Sequence, residues 1–385
     1  MTGPLEGLRV VETTQGYLGY CGMIFADLGA TVTKVEPPEG DYLRQQGPPF
    51  IGEDAAAFLS ANRSKQSVRL DWRANAAARG ALEKLIDSAD VLLLDLYPDE
   101  AEELGMTYAA LSARWPRLVV VPITPWGNTG PLANQRASEL DVQAMSGQWR
   151  YLGDLAKAPT RHGLPLGSLS ASLFAFHGAM ASLLERDNSG KGQEVEVSLV
   201  GSQIAMQTIQ WVSESEPDEW IGHCLAAFRP QARGFMTADL GILWGFMEDD
   251  AALAAFCEWL GIPGILENTG KRSPQWPTEH KAEFEAAFKT HPADEIVAKV
   301  RELGGNAVPY NTYSRLVEDP QAAALGLLSA FDYPGVGRVR TIGVPWEFSD
   351  TPAEHGRPPL LGEHTREVLA GAGLSAQEVE ALAGA

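Results

Sequence analysis

The chain has 385 residues, 45% of them hydrophobic and 21% charged, with a formal net charge of -20. That composition excludes a disordered or fibrous chain and leaves room for two domains with real cores. The acidic balance argues against nucleic acid and anionic membrane surfaces as partners.

Leu8–Thr13 reads as a short apolar strand, Tyr17–Leu28 as a helix and Thr31–Glu36 as a second strand, together a βαβ unit. The turn Thr14-Gln15-Gly16-Tyr17-Leu18-Gly19 is not G-x-G-x-x-G, so no dinucleotide fingerprint is expected. Ser67–Leu70, Val91–Leu96 and Leu118–Thr124 read as further strands, with helices over Ala74–Ser88 and Glu100–Trp115. Strands with so few polar residues, alternating with helices, predict a parallel sheet covered on both faces. A glycine- and proline-rich loop, Thr124–Pro131, follows, and Glu139–Trp149 is helical.

The stretch Pro159–Leu199 reads as a loop, a long apolar helix, the polar turn Asp187–Gly192 and a strand over Glu194–Leu199. Leu169, Leu173, Phe176 and Met180 recur at helical spacing among alanines and serines, which predicts burial on more than one side. Ser168 is a candidate N-cap, and a residue at such a junction has access to a ligand at the positive end of the helix dipole. A Ser168 nucleophile would need a base, for which His162 and His177 are near in sequence. The nucleophile elbow G-x-S-x-G is absent, because Gly167-Ser168-Leu169-Ser170-Ala171 lacks its second glycine.

A helix from Ser198 to about Val212 leads into an acidic linker, Ser213–Glu219. A smaller α+β domain is expected over 220–329: a hairpin of Gly234–Thr237 and Ile242–Phe246, then helices over Ala251–Leu260, Glu279–Lys289 and Ala293–Leu303. Thr312–Glu318 and Pro320–Leu325 read as short helices. Residues 1–212 and 330–385 form the large domain, with a hairpin over Phe331–Thr341 and a helical end from Leu361. Cys21, Cys224 and Cys257 are unpaired in spacing and fit a reducing compartment. The start, MTGPLEGLRVVE, does not read as a secretory leader, and no apolar run reads as long enough to span a bilayer, so a soluble cytoplasmic protein is expected. No His, Cys and carboxylate cluster has metal-ligand spacing.

The segment ERDNSGKGQEVEVSL, the early stretch Ala26–Glu36, the Thr124–Pro131 loop and the C-terminal pattern from Leu361 carry a resemblance. The chain resembles the class III CoA-transferases, the family of formyl-CoA and carnitine CoA-transferases and alpha-methylacyl-CoA racemase, nearly end to end. The resemblance implies a Rossmann-like large domain holding both chain ends, and two protomers interlocked like links of a chain. Ser213–Glu219 and Ala330–Ser349 are candidates for the crossing linkers. It implies no tightly bound cofactor, with CoA or an acyl-CoA as substrate.

In that family a catalytic aspartate attacks an acyl-CoA to form a mixed anhydride, which keeps the thioester's high energy. Here the aspartate position is Ser168, whose ester would be a low-energy dead end. The racemase branch uses a histidine and an aspartate, and their positions are Ser138 and Ser168. Glu139 matches an acidic family position and reads either as a pocket residue or as a helix carboxylate. Tyr17 stands for a glutamine near the reacting centre, and Tyr20 for a proline. Asp95-Leu96 replace an Asn-Phe pair that contacts CoA, Glu103 replaces an arginine, and Pro37, Pro38 and Glu39 stand where a basic residue helps bind phosphate. Arg73 keeps a family lysine's charge. Carboxylates in these places repel CoA's phosphates.

The first expectation is therefore the non-catalytic subunit of a heteromeric CoA-transferase, paired with a homologous chain that keeps the aspartate, as in the benzylsuccinate type. A homodimer is the other partner arrangement. The alternatives are an isomerase, lyase or hydrolase acting on an organic acid or its CoA ester, with Glu139, Tyr17 and Ser168 lining the pocket, and a scaffold or binding protein without catalysis.

Overall fold

The computed structural model describes residues 3–147, 149, 161, 163–207, 234–245, 247, 249–266 and 280–384. His162, Cys224 and the expected linker Ser213–Glu219 lie outside the described residues. The chain divides into two compact units, Met1–Thr208 with Ala324–Ala385, and Ile209–Ala323.

The larger unit is built on six parallel strands: β1 (Arg9–Glu12), β2 (Thr31–Glu36), β3 (Gln66–Arg69), β4 (Val91–Leu94), β5 (Val119–Thr124) and β6 (Val197–Ser198). Their order across the sheet is β3-β2-β1-β4-β5-β6. β4 and β5 are buried along their whole length, which is why their sequences are unbroken apolar runs. Successive side chains point to opposite faces. Val10, Val32, Leu93, Val119 and Val121 meet α1 (Gly19–Asp27) and α7 (Leu166–Ser189) on one side. Val11, Val35, Val68, Leu92, Leu94 and Val120 meet α3 (Ala76–Ile86), α5 (Tyr108–Arg114) and the C-terminal helices α12 (Thr365–Gly371) and α13 (Ala376–Ala383) on the other. Between α1 and α3, β2 and β3 are joined through the short helix α2 (Ala56–Ala61).

Several boundaries differ from the sequence expectations for identifiable reasons. The Glu100–Trp115 helix is two, α4 (Pro98–Leu104) and α5, because Gly105 adopts φ +67° and closes the first. The Glu194–Leu199 strand shrinks to β6, with Glu194 making one isolated bridge to Val120. Ala330–Ser349 is not an extended linker throughout: β10 (Leu328–Tyr333) and β11 (Gly337–Ile342) form an antiparallel hairpin. Phe331 and Tyr333 pack it against Leu43, Phe58 and Leu59 of the larger unit.

The 24-residue helix α7 contains an 18-residue stretch with a mean hydropathy of 1.3, long and apolar enough to cross a membrane by length and composition, contrary to the sequence reading. Its Ala171, Ala175, Ala179 and Leu183 are nonetheless built into the core beside the sheet. It is also not covered all round, since Phe174 and Leu184 remain 37% and 67% exposed.

In the smaller unit, β7 (Gly234–Met236), β8 (Gly241–Trp244) and β9 (Ala307–Pro309) form an antiparallel sheet in the order β9-β8-β7. Between β8 and β9 the chain forms α9 (Asp250–Trp259), α10 (Lys281–Phe288) and α11 (Ala293–Glu302), which bury an aromatic cluster of Phe235, Trp244, Phe256, Phe284 and Phe288.

Candidate active site

The order β3-β2-β1-β4-β5-β6 reverses direction between β1 and β4, and the loop after β1 rises at that reversal. In open parallel sheets the crevice outside the carboxyl ends of the strands at such a point is where ligands bind. Three charged side chains grip the loop's backbone. The Lys34 ammonium donates to the Thr14 carbonyl at 2.7 Å. An Asp95 oxygen accepts from the Gln15 N–H at 3.1 Å, and both Asp41 oxygens lie 3.0 Å from the Gly16 nitrogen. Lys34 and Asp41 also pair with each other at 2.9 Å, both fully buried, and a second buried pair, Lys65 and Glu12, sits beneath them at 2.6 Å. Burial disfavours the Lys34 charge, but Asp41, Glu12 and Glu36 outweigh it and raise its pKa, so the ammonium persists. Gly16, at φ +71°, has no room for a side chain, because a Cβ would run into the Tyr42 hydroxyl.

Tyr17 projects from this loop. Burial, followed by the charge of Glu139, raises its pKa. Tyr42 is pushed up to about 12, chiefly by burial and then by Asp41 and Asp95. Both phenols therefore stay protonated and can only act as neutral donors or acceptors near neutral pH.

The second half of the site is the N-terminus of α7. Ser168 is not its N-cap: that position is Pro165, which offers no side-chain oxygen, and Ser168 is the third helical residue. The orphan N–H groups of the first turn are instead satisfied from α6 (Glu139–Met145). Glu139 Oε1 accepts from the Gly167 N–H at 2.6 Å and from Gln143 Nε2 at 2.8 Å. Its Oε2 accepts from the Ser168 N–H at 2.9 Å and from the Ser168 hydroxyl at 2.6 Å. Gln143 is fully buried, and its other amide atom accepts from Trp149 Nε1 at 3.0 Å, which fixes its orientation. Four donors and the positive end of the helix dipole surround the two Glu139 oxygens. The Ser168 hydroxyl is thus committed to a carboxylate that it shares with three N–H donors. His177 does not assist: it lies on the exposed face of α7, its ring edge-on to Phe176 at 5.9 Å.

Between the β1 loop, the segment after β2 and the start of α4 lies a crevice of about 520 Å³, walled by Gln15, Pro37, Glu39, Tyr42, Trp72 and Tyr97; neither Glu139 nor Ser168 lines it. Its two guanidiniums are both neutralised from within. Arg73 pairs with Asp95 at 2.9 Å and Glu100 at 3.6 Å. Arg136 pairs with Asp99 and Glu100, each at 3.2 Å, and stacks on Tyr97 with its guanidinium carbon 4.0 Å from the ring centre. Burial raises the Asp95 pKa, with Arg73 and the Gln15 N–H opposing it.

Of the residues singled out from sequence, Glu139 and Ser168 are in direct contact, Tyr17 is within electrostatic reach of Glu139, and Arg73 and Asp95 form one ion pair. Leu96 is 2% exposed and belongs to the core beneath α4, not to the crevice wall. Glu103 faces solvent. The α4 carboxylate that enters the crevice is Glu100, one turn earlier, whose side chain also caps the Tyr97 N–H at 3.0 Å. Sequence reasoning misses Arg136, Asp41 and Gln143, which no motif marks. Among the described residues no group of His, Cys, Asp and Glu could hold a metal ion.

A doubly wound parallel sheet with a crevice at its reversal defines an α/β domain of the ligand-binding type. The family model described as CoA-transferase family III matches residues 5–365, and the chain belongs to that family. It is 29% identical to the succinyl-CoA:glutarate CoA-transferase of Mus musculus, over 95% of this chain and 86% of that protein. It is equally 29% identical to the succinate–glutarate CoA-transferase of Agrobacterium fabrum, over 95% of each. Its fold is similar to that of a CAIB/BAIF family protein from Brucella suis, with a TM-score of 0.84 and 26% identity, over 97% of this chain and all of that one.

Proposed function

We propose that this chain is a subunit of a heteromeric CoA-transferase that moves CoA between small carboxylic acids, and that Ser168 carries no acyl group. A homologous chain with an aspartate at the Ser168 position supplies complete turnover, as in a paired, interlocked arrangement. The observation that carries this reading is the Ser168 hydroxyl, where the family has its aspartate, committed to a hydrogen bond with Glu139. A serine ester would also discard the thioester's energy. The neutralised Arg73 and Arg136 support it further, because CoA's phosphates find no uncommitted cation in the crevice. Leu140, Met145, Phe174, Leu184 and Met206, on α6, on α7 and just after α8 (Leu199–Ala205), are exposed apolar groups that suit a covering partner. The protein is taken to be soluble and cytoplasmic, with acyl-CoA as substrate and no tightly held cofactor.

A second reading, that the chain has its own acyl-carrying group, is favoured by one observation: a carboxylate does stand at the α7 N-terminus, on residue 139. The relatives' names direct the test. The purified chain is assayed for CoA exchange between succinyl-CoA and glutarate, alone and co-expressed with an aspartate-bearing homologue. Silence alone and turnover in the pair supports the heteromer. Full turnover by the chain alone overturns it.

A further inference from the structure

We infer that the open cavity beside α12, at the amino ends of β1, β2 and β3, is a binding site for a small zwitterion, an α-amino acid with an aliphatic side chain. It lies at the opposite end of these strands from the crevice, and it stands independently of the transferase reading.

The sheet face toward α3 and α12 is apolar where Val11, Val35 and Val68 stand. Strand alternation puts Arg9, Thr31, Thr33 and Gln66 on that same face, because each lies an even number of residues before one of those valines. The strand register aligns them, with Arg9 opposite Thr31 and Thr33 opposite Gln66. Three neighbouring strands thus begin with polar side chains on a face that helices cover. These four residues line a cavity of about 250 Å³ that reaches the end of α3 and α12.

The polar groups are not used up on one another. Thr33 is 7% exposed, and its hydroxyl donates to Gln66 Oε1 at 3.3 Å, which leaves the Gln66 amide hydrogens to donate elsewhere. The Arg9 guanidinium has no ion pair among the described residues. The Asp90 carboxylate accepts from the Arg9 backbone N–H at 2.9 Å but pairs with the Arg186 guanidinium, also at 2.9 Å. Glu367 of α12 lines the same cavity and has no ion pair among the described residues either, since its neighbour Arg366 goes to Glu380. A cation and an anion therefore wall one cavity without pairing with each other.

That arrangement selects a ligand carrying both charges. A carboxylate takes the two-pronged Arg9 guanidinium and the Gln66 amide, and an ammonium takes Glu367 and the free hydroxyl lone pairs of Thr31 and Thr33. Val11, Leu85 and Val368 give the ligand's side chain an apolar wall. An apolar cavity of about 150 Å³ takes a benzene-sized molecule, so this one has room for a leucine-sized one. A dicarboxylate or a diamine leaves one of the two charges facing its own sign. An occupant also ties α12 to the three strands, so its binding stabilises the folded chain.

The test is calorimetry and thermal unfolding of the purified chain with L-leucine, with 4-methylpentanoate, which lacks the ammonium, and with leucinamide, which lacks the carboxylate. Leucine is expected to bind with a Kd of about 1 mM or tighter and to raise the melting midpoint. Each analogue on the wild-type chain, and leucine on Arg9→Met or Glu367→Gln, should bind at least about tenfold more weakly. Both side chains are exposed and unpaired, so the variants should fold; the analogues decide the matter even where one does not. No leucine binding at about 10 mM, ten times the expected Kd, overturns the inference. So does binding that either analogue reproduces or that both variants leave unchanged.

Discussion

Replacing Ser168 by aspartate puts the missing carboxylate back, and the geometry predicts a cost that depends on pH. The Ser168 oxygen lies 2.6 Å from Glu139 Oε2, so an aspartate there brings two carboxylates to about 4 Å. At an effective dielectric constant of about 20 their repulsion is about 4 kcal/mol, enough to raise the pKa of one of them by about 3. The pair then shares a proton whose folded-state pKa rises from about 4 to about 7, while each group titrates near 4 in the unfolded chain. Between these values the folded state binds more protons than the unfolded one. Stability is therefore complete below about pH 4 and is lost progressively between about pH 4 and about pH 7. Ser168→Ala is the reference, since it loses the same hydroxyl without adding charge. In urea unfolding from about pH 4 to about pH 8.5, Ser168→Asp should match Ser168→Ala within about 1 kcal/mol at the acid end and fall about 2–4 kcal/mol below it at the alkaline end. A gap that stays constant across this range would refute the placement of Glu139 on the α7 N-terminus.

Three further outcomes are expected. Calorimetric titration should detect no micromolar CoA binding to the wild-type chain, whereas Asp95→Asn with Glu100→Gln, which releases Arg73 and leaves Arg136 paired with Asp99 alone, should tighten it at least about tenfold, or about 1.4 kcal/mol; micromolar binding by the wild type contradicts the neutralised crevice. Lys34→Met alone should cost about 3–5 kcal/mol by leaving Asp41 buried without its cation, and adding Asp41→Leu should recover part of it in denaturant midpoints. Glu363 is lowered to about 2, first by its hydrogen bond to Arg357; because its folded pKa is depressed, the pair's contribution, about 1 kcal/mol for a partly exposed site, should be present above about pH 4.5 and fade as pH falls toward 2, so Glu363→Gln and wild type should converge in acid.

The architecture is legible in the sequence where burial is regular. Val91–Leu94 and Val119–Thr124 are covered on both faces, so their apolar runs announce strands without any partner being known. The site is legible as a set of residues but not as an arrangement. Local rules favour serine at helix starts, which makes Ser168 read as a cap. The structure satisfies that helix end through Glu139, 29 residues away, and no local pattern encodes such a contact. Alignment with a family arginine favours Glu103 over Glu100. The helix phase set by Pro98 at its first position turns Glu100 into the crevice and Glu103 to water. Arg73 reads as a family lysine's charge retained in the CoA site, and only the fold reveals that Asp95 pairs with it.

The position of α12 and α13 bears on how the protein is made. Strand β6 completes the sheet at Ser198, yet Leu369 and Val379, which close the cluster around Leu82 and Leu85, come about 170 residues later. At ribosomal speeds of about 5–20 residues per second, that interval lasts about 10–35 s. Throughout it, a finished sheet waits with one apolar flank bare. Nascent chains of this protein should therefore engage holding chaperones late in synthesis, and truncation before α12 should give aggregates, not a smaller soluble domain.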